Sequence, residues 1–114
     1  MSRQRTNVRL NSSDFYPTPS WCYKNLEIDW SQYKTAHEPA AGDHRLVDFL
    51  RERGVETSYS EIRVGRDFFD YNKRTDLIIT NPPFSLALEF VDHALPLADT
   101  VMMLLRLNFL ASIK

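Results

Sequence analysis

Apolar residues recur in this chain at spacings that predict helices. One group follows the 3.6-residue period of a helix face: Leu46, Val47, Phe49 and Leu50. Asp43 is the predicted N-cap of that helix, and Gly54 stands where a glycine ends many helices. Ser85 is the predicted cap of a second helix, which ends at Pro96. Its apolar face comprises Leu86, Phe90, Val91, Ala94 and Leu95. A shorter helix is predicted over residues 19–26.

Four other segments have the composition of strands. Residues 34–38 are extended before a proline, residues 55–62 alternate and are rich in β-formers, and residues 76–80 are compactly apolar. The nearly continuous apolar run at 101–107 predicts a central strand buried on both faces, which would need a covering strand, subunit or protein at its free edge. The order strand, helix, strand, strand, helix, strand predicts an α/β fold with a mostly parallel sheet.

Composition narrows the class of protein. The 114 residues suit one domain, and 14 Lys and Arg against 15 Asp and Glu argue against a uniformly basic nucleic-acid binder, although a local basic patch stays open. Cys22 is the sole cysteine and the three histidines are scattered, so no metal site is expected and a reducing, cytoplasmic location is predicted. The sequence has neither a membrane-span pattern nor a signal-peptide pattern. Residues 1–13 are predicted to be a flexible basic arm, either simply solvated or in contact with phosphate.

Ligands of parallel α/β sheets bind beyond the carboxyl ends of the strands, where this chain carries unusual residues. The segment EPAAGDH, from Glu38 to His44, has a glycine between a strand and a helix start, which lets backbone approach a ligand. Glu61 follows Gly42 by about 19 residues, the spacing at which a carboxylate holds a nucleotide ribose. An ordinary turn and an exposed charge are the alternatives for these two features.

The segment DLIITNPPF, residues 76–84, is the most specific signal. Two prolines fix the loop after a buried strand, so that the Asn81 side-chain oxygen and the Pro82 carbonyl are both acceptors with no N–H donor between them. Phe84 adds a flat apolar surface. Such a loop suits a planar ring that bears an exocyclic amino group, and a proline-rich turn without function is the alternative.

These motifs resemble those of the S-adenosylmethionine-dependent amino methyltransferases, especially the bacterial and phage DNA adenine-N6 group. TNPPF resembles the catalytic motif (D/N/S)PP(Y/F), and EPAAGDH resembles the cofactor motif, which usually ends in glycine where this chain has His44. DFYPTPSW resembles a segment that closes over the cofactor, GRDFF resembles the acid-plus-aromatic pair at its adenine, and RLNFLAS resembles the segment after the fifth strand.

The resemblance implies a Rossmann-like, three-layer methyltransferase domain over residues 14–114, incomplete at about four or five strands and without a target-recognition region. It implies S-adenosylmethionine as cofactor and DNA, with its adenine flipped out, as partner. The implied catalytic residues are Asn81, Pro82, Pro83 and Phe84. The implied cofactor-binding residues are Thr18, Pro19, Glu38, Ala40, Gly42, Glu61, Asp67 and Phe68. Two alternatives stay open: methylation of RNA adenine or protein glutamine, and a non-catalytic protein that binds a cofactor or a partner, with a homo-oligomer compatible with either.

Overall fold

The computed structural model describes residues 20–82 and 84–104, and for Trp21, Cys22 and Phe84 it describes the backbone only. The helices are α1 (Trp21–Lys24), α2 (Arg45–Glu52) and α3 (Ala87–Ala94), and the strands are β1 (Thr35–Glu38), β2 (Glu56–Tyr59), β3 (Thr75–Thr80) and β4 (Ala98–Met103). Short 3₁₀ helices span Trp30–Gln32, Ile62–Val64, Phe68–Asp70, Phe84–Leu86 and Leu95–Leu97. The predicted arm at 1–13 and the site residues Thr18, Pro19 and Pro83 lie outside the described residues.

The four strands form one parallel sheet in the order β2-β1-β3-β4. The predicted α/β class and parallel sheet are therefore confirmed. After β2 the chain crosses β1 and adds β3 on its other side, so the strand order reverses between β1 and β3. The crevice beyond the carboxyl ends of these two strands is where a ligand binds in an open sheet of this kind.

Apolar residues cover both faces of the sheet and make three layers. On one face, α1 and α2 pack on the sheet through a cluster that contains Tyr23, Leu46, Phe49, Leu50, Leu77 and Ile79. On the other face, α3 and the Phe68–Asp70 turn pack through Phe68, Ile78, Leu86, Phe90 and Ala94. Alternate residues of β3 thus serve opposite layers, as the period of a strand requires. In the described ranges, 20–82 and 84–104, no helix is long and apolar enough to cross a membrane.

The helix starts differ from the predicted ones. The N-cap of α2 is His44 rather than Asp43, with a left-handed backbone (φ 69°), and Asp43 instead accepts a hydrogen bond from the Arg45 N–H at 3.2 Å. Ser85 does not cap α3, because the 3₁₀ turn Phe84–Leu86 precedes it and Leu86 takes the N-cap position without a side-chain bond. Helix α1 has four residues where eight were predicted, and it ends at the C-cap residue Asn25.

The strand bounds differ as well. Strand β2 is shorter than the predicted segment 55–62, because Ile62 already belongs to a 3₁₀ helix. Strand β4 begins at Ala98 and, among the described residues, pairs with β3 alone, which leaves the free edge that the sequence led us to expect; residues 105–107 of the predicted strand lie outside the described residues. Its apolar run packs on both faces, with Met102 toward the layer of α2 and Val101 toward the layer of α3. Leu95, assigned to the buried face of the second helix, is 58% exposed.

Candidate functional site

The segment after β1 is tied to the end of β2 by backbone hydrogen bonds. The Ser60 N–H donates to the Glu38 carbonyl at 2.8 Å, and the Ala41 N–H donates to the Ser60 carbonyl at 3.0 Å. Gly42 has φ +57°, and a Cβ built there would meet no atom within 4 Å. Gly42 therefore faces open space at the carboxyl edge of the sheet, where backbone can approach a ligand, whereas Ala41 beside it is buried.

Glu61 anchors this turn. Its Oε1 accepts a hydrogen bond from the Gly42 N–H at 2.9 Å, and its Oε2 accepts from the backbone N–H and the Nε of Arg63, both at 2.9 Å. Burial alone would raise the pKa of Glu61, but the hydrogen bonds from Arg63 and Gly42 outweigh it and lower the pKa below the ordinary value. Since both oxygens have partners, a ribose hydroxyl would reach this carboxylate by sharing it with Arg63, whose side chain is half-exposed.

Glu38 and Thr80 are both fully buried at the crevice between β1 and β3, and their hydrogen bonding is less complete than that of Glu61. The Ala40 N–H donates to Glu38 Oε2 at 2.6 Å, whereas Glu38 Oε1 and Thr80 Oγ1 have only each other as neighbours, in poor hydrogen-bonding geometry. Burial raises the pKa of Glu38 to about 8, against the opposing effects of the Ala40 N–H and of the nearby Thr80 hydroxyl. A buried polar atom without a partner costs free energy, so this pair is suited to a polar ligand atom.

The catalytic candidates follow Thr80 directly. The Leu104 N–H donates to the Thr80 carbonyl at 2.8 Å, which keeps β3 in the sheet up to the loop. Asn81 is half-buried and Pro82 is buried. The acceptors predicted from the sequence thus begin one residue beyond the unpartnered Thr80 hydroxyl, at the same crevice as Glu38.

Asp67 and Phe68 lie in the connection between β2 and β3. Asp67 Oδ1 accepts from the Phe69 N–H at 2.9 Å and caps the Phe68–Asp70 turn. The Phe68 ring is 2% exposed and packs against Phe90 in the layer of α3. The structure therefore places Phe68 in the core and not at an open surface. The β2–β3 connection contains only short 3₁₀ helices, and the Phe68 ring covers this part of the sheet. A stacking role for its ring would require the turn to move.

His44 stands where the resembling motif usually has glycine. Its backbone is left-handed, a conformation that glycine adopts without strain, and its ring lies 4.4 Å from the Tyr59 ring. The backbone at this position thus has the geometry for which glycine is suited, and the side chain packs toward β2.

Sequence reasoning missed a polar cluster around a buried histidine beside this crevice. His37, on β1, is 1% exposed, and its ring nitrogens are 2.7 Å from Ser58 Oγ and 2.7 Å from Ser60 Oγ. The Tyr71 ring stacks on it with the centroids 3.6 Å apart. The available signal was a histidine in one short strand and two serines, in the next strand and just after it, but only the register that pairs His37 with Ser58 shows that they meet.

Comparison with protein-family models, with curated proteins and with solved structures found no match for this chain.

Proposed function

We propose that this chain binds S-adenosylmethionine at the carboxyl edge of its sheet and methylates the N6 amino group of adenine in DNA. The main support is that two motifs lie at one crevice, the switch point where the strand order reverses between β1 and β3. EPAAGDH follows β1, and TNPP begins at the end of β3, its neighbour in the sheet. The motifs were singled out from the sequence before the order of the strands in the sheet was known, and an unrelated pair of turns would not need to converge on one crevice.

The cofactor-binding role is supported by the free capacity of the crevice. Glu38 Oε1 is buried without a hydrogen bond of good geometry, with the Thr80 hydroxyl as its neighbour, and Gly42 leaves room for backbone to approach the ligand. Glu38 would accept an N–H group of the cofactor, and Ala40 and Gly42 would contact the cofactor through backbone. When bound, S-adenosylmethionine supplies a methyl group on a positively charged sulfur that leaves as a neutral thioether.

The transfer role depends on Asn81 and Pro82. The Asn81 side-chain oxygen and the Pro82 carbonyl would accept the two N–H groups of the adenine, which turns the lone pair of its nitrogen toward the methyl group. The nitrogen becomes acidic only after it has taken the methyl, so the surplus proton can leave to water. A strong general base is therefore not required, and the protein contributes mainly by positioning.

Transfer of labelled methyl from S-adenosylmethionine to DNA tests this proposal. We expect incorporation at adenine, and we expect Asn81→Ala to reduce it by roughly a hundredfold or more, because an acceptor that acts in the transition state is removed. Asn72→Ala, in an exposed position of the β2–β3 connection, is the matched control and should retain the rate.

The acceptor class is tested in the same assay by offering DNA, RNA and a glutamine-containing protein with one label. If RNA or protein took up the label and DNA did not, that acceptor would replace DNA as the substrate in this proposal. Heat of cofactor binding in calorimetry without transfer to any acceptor would contradict catalysis and leave a cofactor-binding protein. Absence of both binding and transfer would contradict the whole proposal.

A further inference from the structure

A polar cluster around the buried His37 ring holds the end of β2. We define the His37 clamp as His37, Ser58, Ser60 and Tyr71. Two hydrogen-bonding contacts of 2.7 Å and one ring stack, with planes 12° apart, fix the imidazole from three sides. A buried polar side chain with every polar atom partnered makes a rigid unit.

The ring in this clamp is neutral at physiological pH. Burial lowers the pKa of His37 to about 3. A neutral imidazole has one N–H donor and one acceptor, and a serine hydroxyl can take either role. Both contacts of His37 can therefore be satisfied in either tautomer, with no charge placed in the core.

The clamp is coupled to the candidate cofactor site through Ser60. While its hydroxyl contacts His37, its backbone N–H donates to the Glu38 carbonyl and its carbonyl accepts from the Ala41 N–H. A displacement of Ser60 would move both bonds and would carry the turn from Ala40 to Gly42 with it. The hydroxyl of Ser58, the register partner of His37, instead donates to the Ala36 carbonyl at 3.5 Å and interacts with the Tyr71 hydroxyl.

We propose that His37 is a positioning residue of the candidate cofactor site, which it acts on through Ser60 by fixing the Ala40–Gly42 turn. This inference rests on the proposed function, because it states how that cofactor site is held in place.

The test compares Ser60→Ala with Ser58→Ala. Each removes one contact to His37, but only Ser60 connects the clamp to the turn. Hydrogen exchange of the Ala41 amide is measured in the ligand-free protein, with an amide in the middle of β3 as reference for global unfolding. We expect Ser60→Ala to reduce the protection of Ala41 relative to that reference by about fivefold, and Ser58→Ala to change it by less than about twofold.

The affinity for S-adenosylmethionine, measured by calorimetry, provides the second measurement. Ser60→Ala should weaken it by about fivefold and Ser58→Ala by less than about twofold. If Ser60→Ala does not fold, Ser60→Cys replaces it, since a thiol keeps the volume but is a weak donor. Equal effects of the two serine variants on Ala41 would mean a purely structural clamp and would overturn the inference. If the wild-type protein binds no cofactor, the proposed function fails, and the exchange of Ala41 still decides whether the clamp holds the turn.

Discussion

Two neighbouring residues of β1 should give the stability of this protein an unusual dependence on pH. Burial raises the pKa of Glu38 to about 8 and lowers the pKa of His37 to about 3. The contribution of Glu38 to the free energy of unfolding is fully present below its unfolded pKa of about 4.5 and is lost as the pH rises to about 8. The contribution of His37 is fully present above its unfolded pKa of about 6.5 and is lost as the pH falls toward 3.

The magnitudes follow from proton linkage. Each group that differs by one proton between the folded and unfolded states changes the free energy of unfolding by about 1.4 kcal/mol per pH unit. From about pH 4.5 to 6.5 the two slopes oppose each other and nearly cancel. Above about pH 6.5 only the slope of Glu38 remains, so stability should fall by roughly 2 kcal/mol between pH 6.5 and pH 8. Below about pH 4.5, His37 and the lowered pKa of Glu61 both make stability fall with acid.

Urea unfolding measured at half-unit steps from pH 4 to pH 8.5 tests this reasoning. The wild-type profile should have a maximum in the mildly acidic range, and Glu38→Gln should flatten the limb above about pH 6.5. Glu56→Gln, at an exposed position of β2, should keep the wild-type limb. If Glu38→Gln and the wild type ran parallel above pH 6.5, Glu38 would be ionised in the folded protein, and the buried unpartnered oxygen would need another explanation.

Three further predictions concern substitutions near the site and in the core. Gly42→Ala should lower the free energy of unfolding by about 1 kcal/mol, because alanine is strained in a left-handed backbone even where its Cβ meets no atom. His44→Gly should leave the free energy of unfolding unchanged or raise it by up to about 1 kcal/mol for the same reason. Thermal unfolding measures both, and a loss of stability in both variants would contradict the backbone argument. Arg63→Ala should cost about 1–3 kcal/mol at neutral pH in urea unfolding, because the Glu61 side chain is 4% exposed and loses the hydrogen bond from the Arg63 guanidinium; a loss below about 0.5 kcal/mol would mean that this bond adds little to the stability of the protein. Leu77→Ala, at a fully buried position, should cost about 2–5 kcal/mol in the same assay, and a loss below about 1 kcal/mol would mean that this layer is not tightly packed.

Most of the fold could be predicted because the chain marks its elements with local signals. The apolar period of α2 and the glycine at Gly54, which has φ +83°, lie where the pattern indicated. The bounds of β2 and the position of β4 could not be predicted in the same way. An apolar run is the same whether a strand is central or is an edge strand packed by helices on both faces, and only the pairing of β4 with β3 decides between them.

The candidate site was predictable where its residues are close in sequence to the strand ends. The spacing from Gly42 to Glu61 corresponds to a real contact of 2.9 Å, although the contact is a structural hydrogen bond within the protein. The burial of Phe68 and the His37 clamp depend on how the β2–β3 connection folds back over the sheet. Such packing depends on tertiary contacts between residues distant in sequence, so no local pattern reports it.

Glu38 and Glu61 show that burial alone does not identify a ligand-binding carboxylate. Both are nearly inaccessible, at 0% and 3% exposed. Glu61 has a partner on each oxygen and a lowered pKa, which is the pattern of a group that stabilises its own loop. Glu38 has a raised pKa, and its second oxygen has only the neighbouring Thr80 hydroxyl as a partner, in poor hydrogen-bonding geometry. A ligand N–H that reached this pair would improve its hydrogen bonding, whereas both oxygens of Glu61 are already well paired, which favours Glu38 over Glu61 as the carboxyl group that receives a ligand.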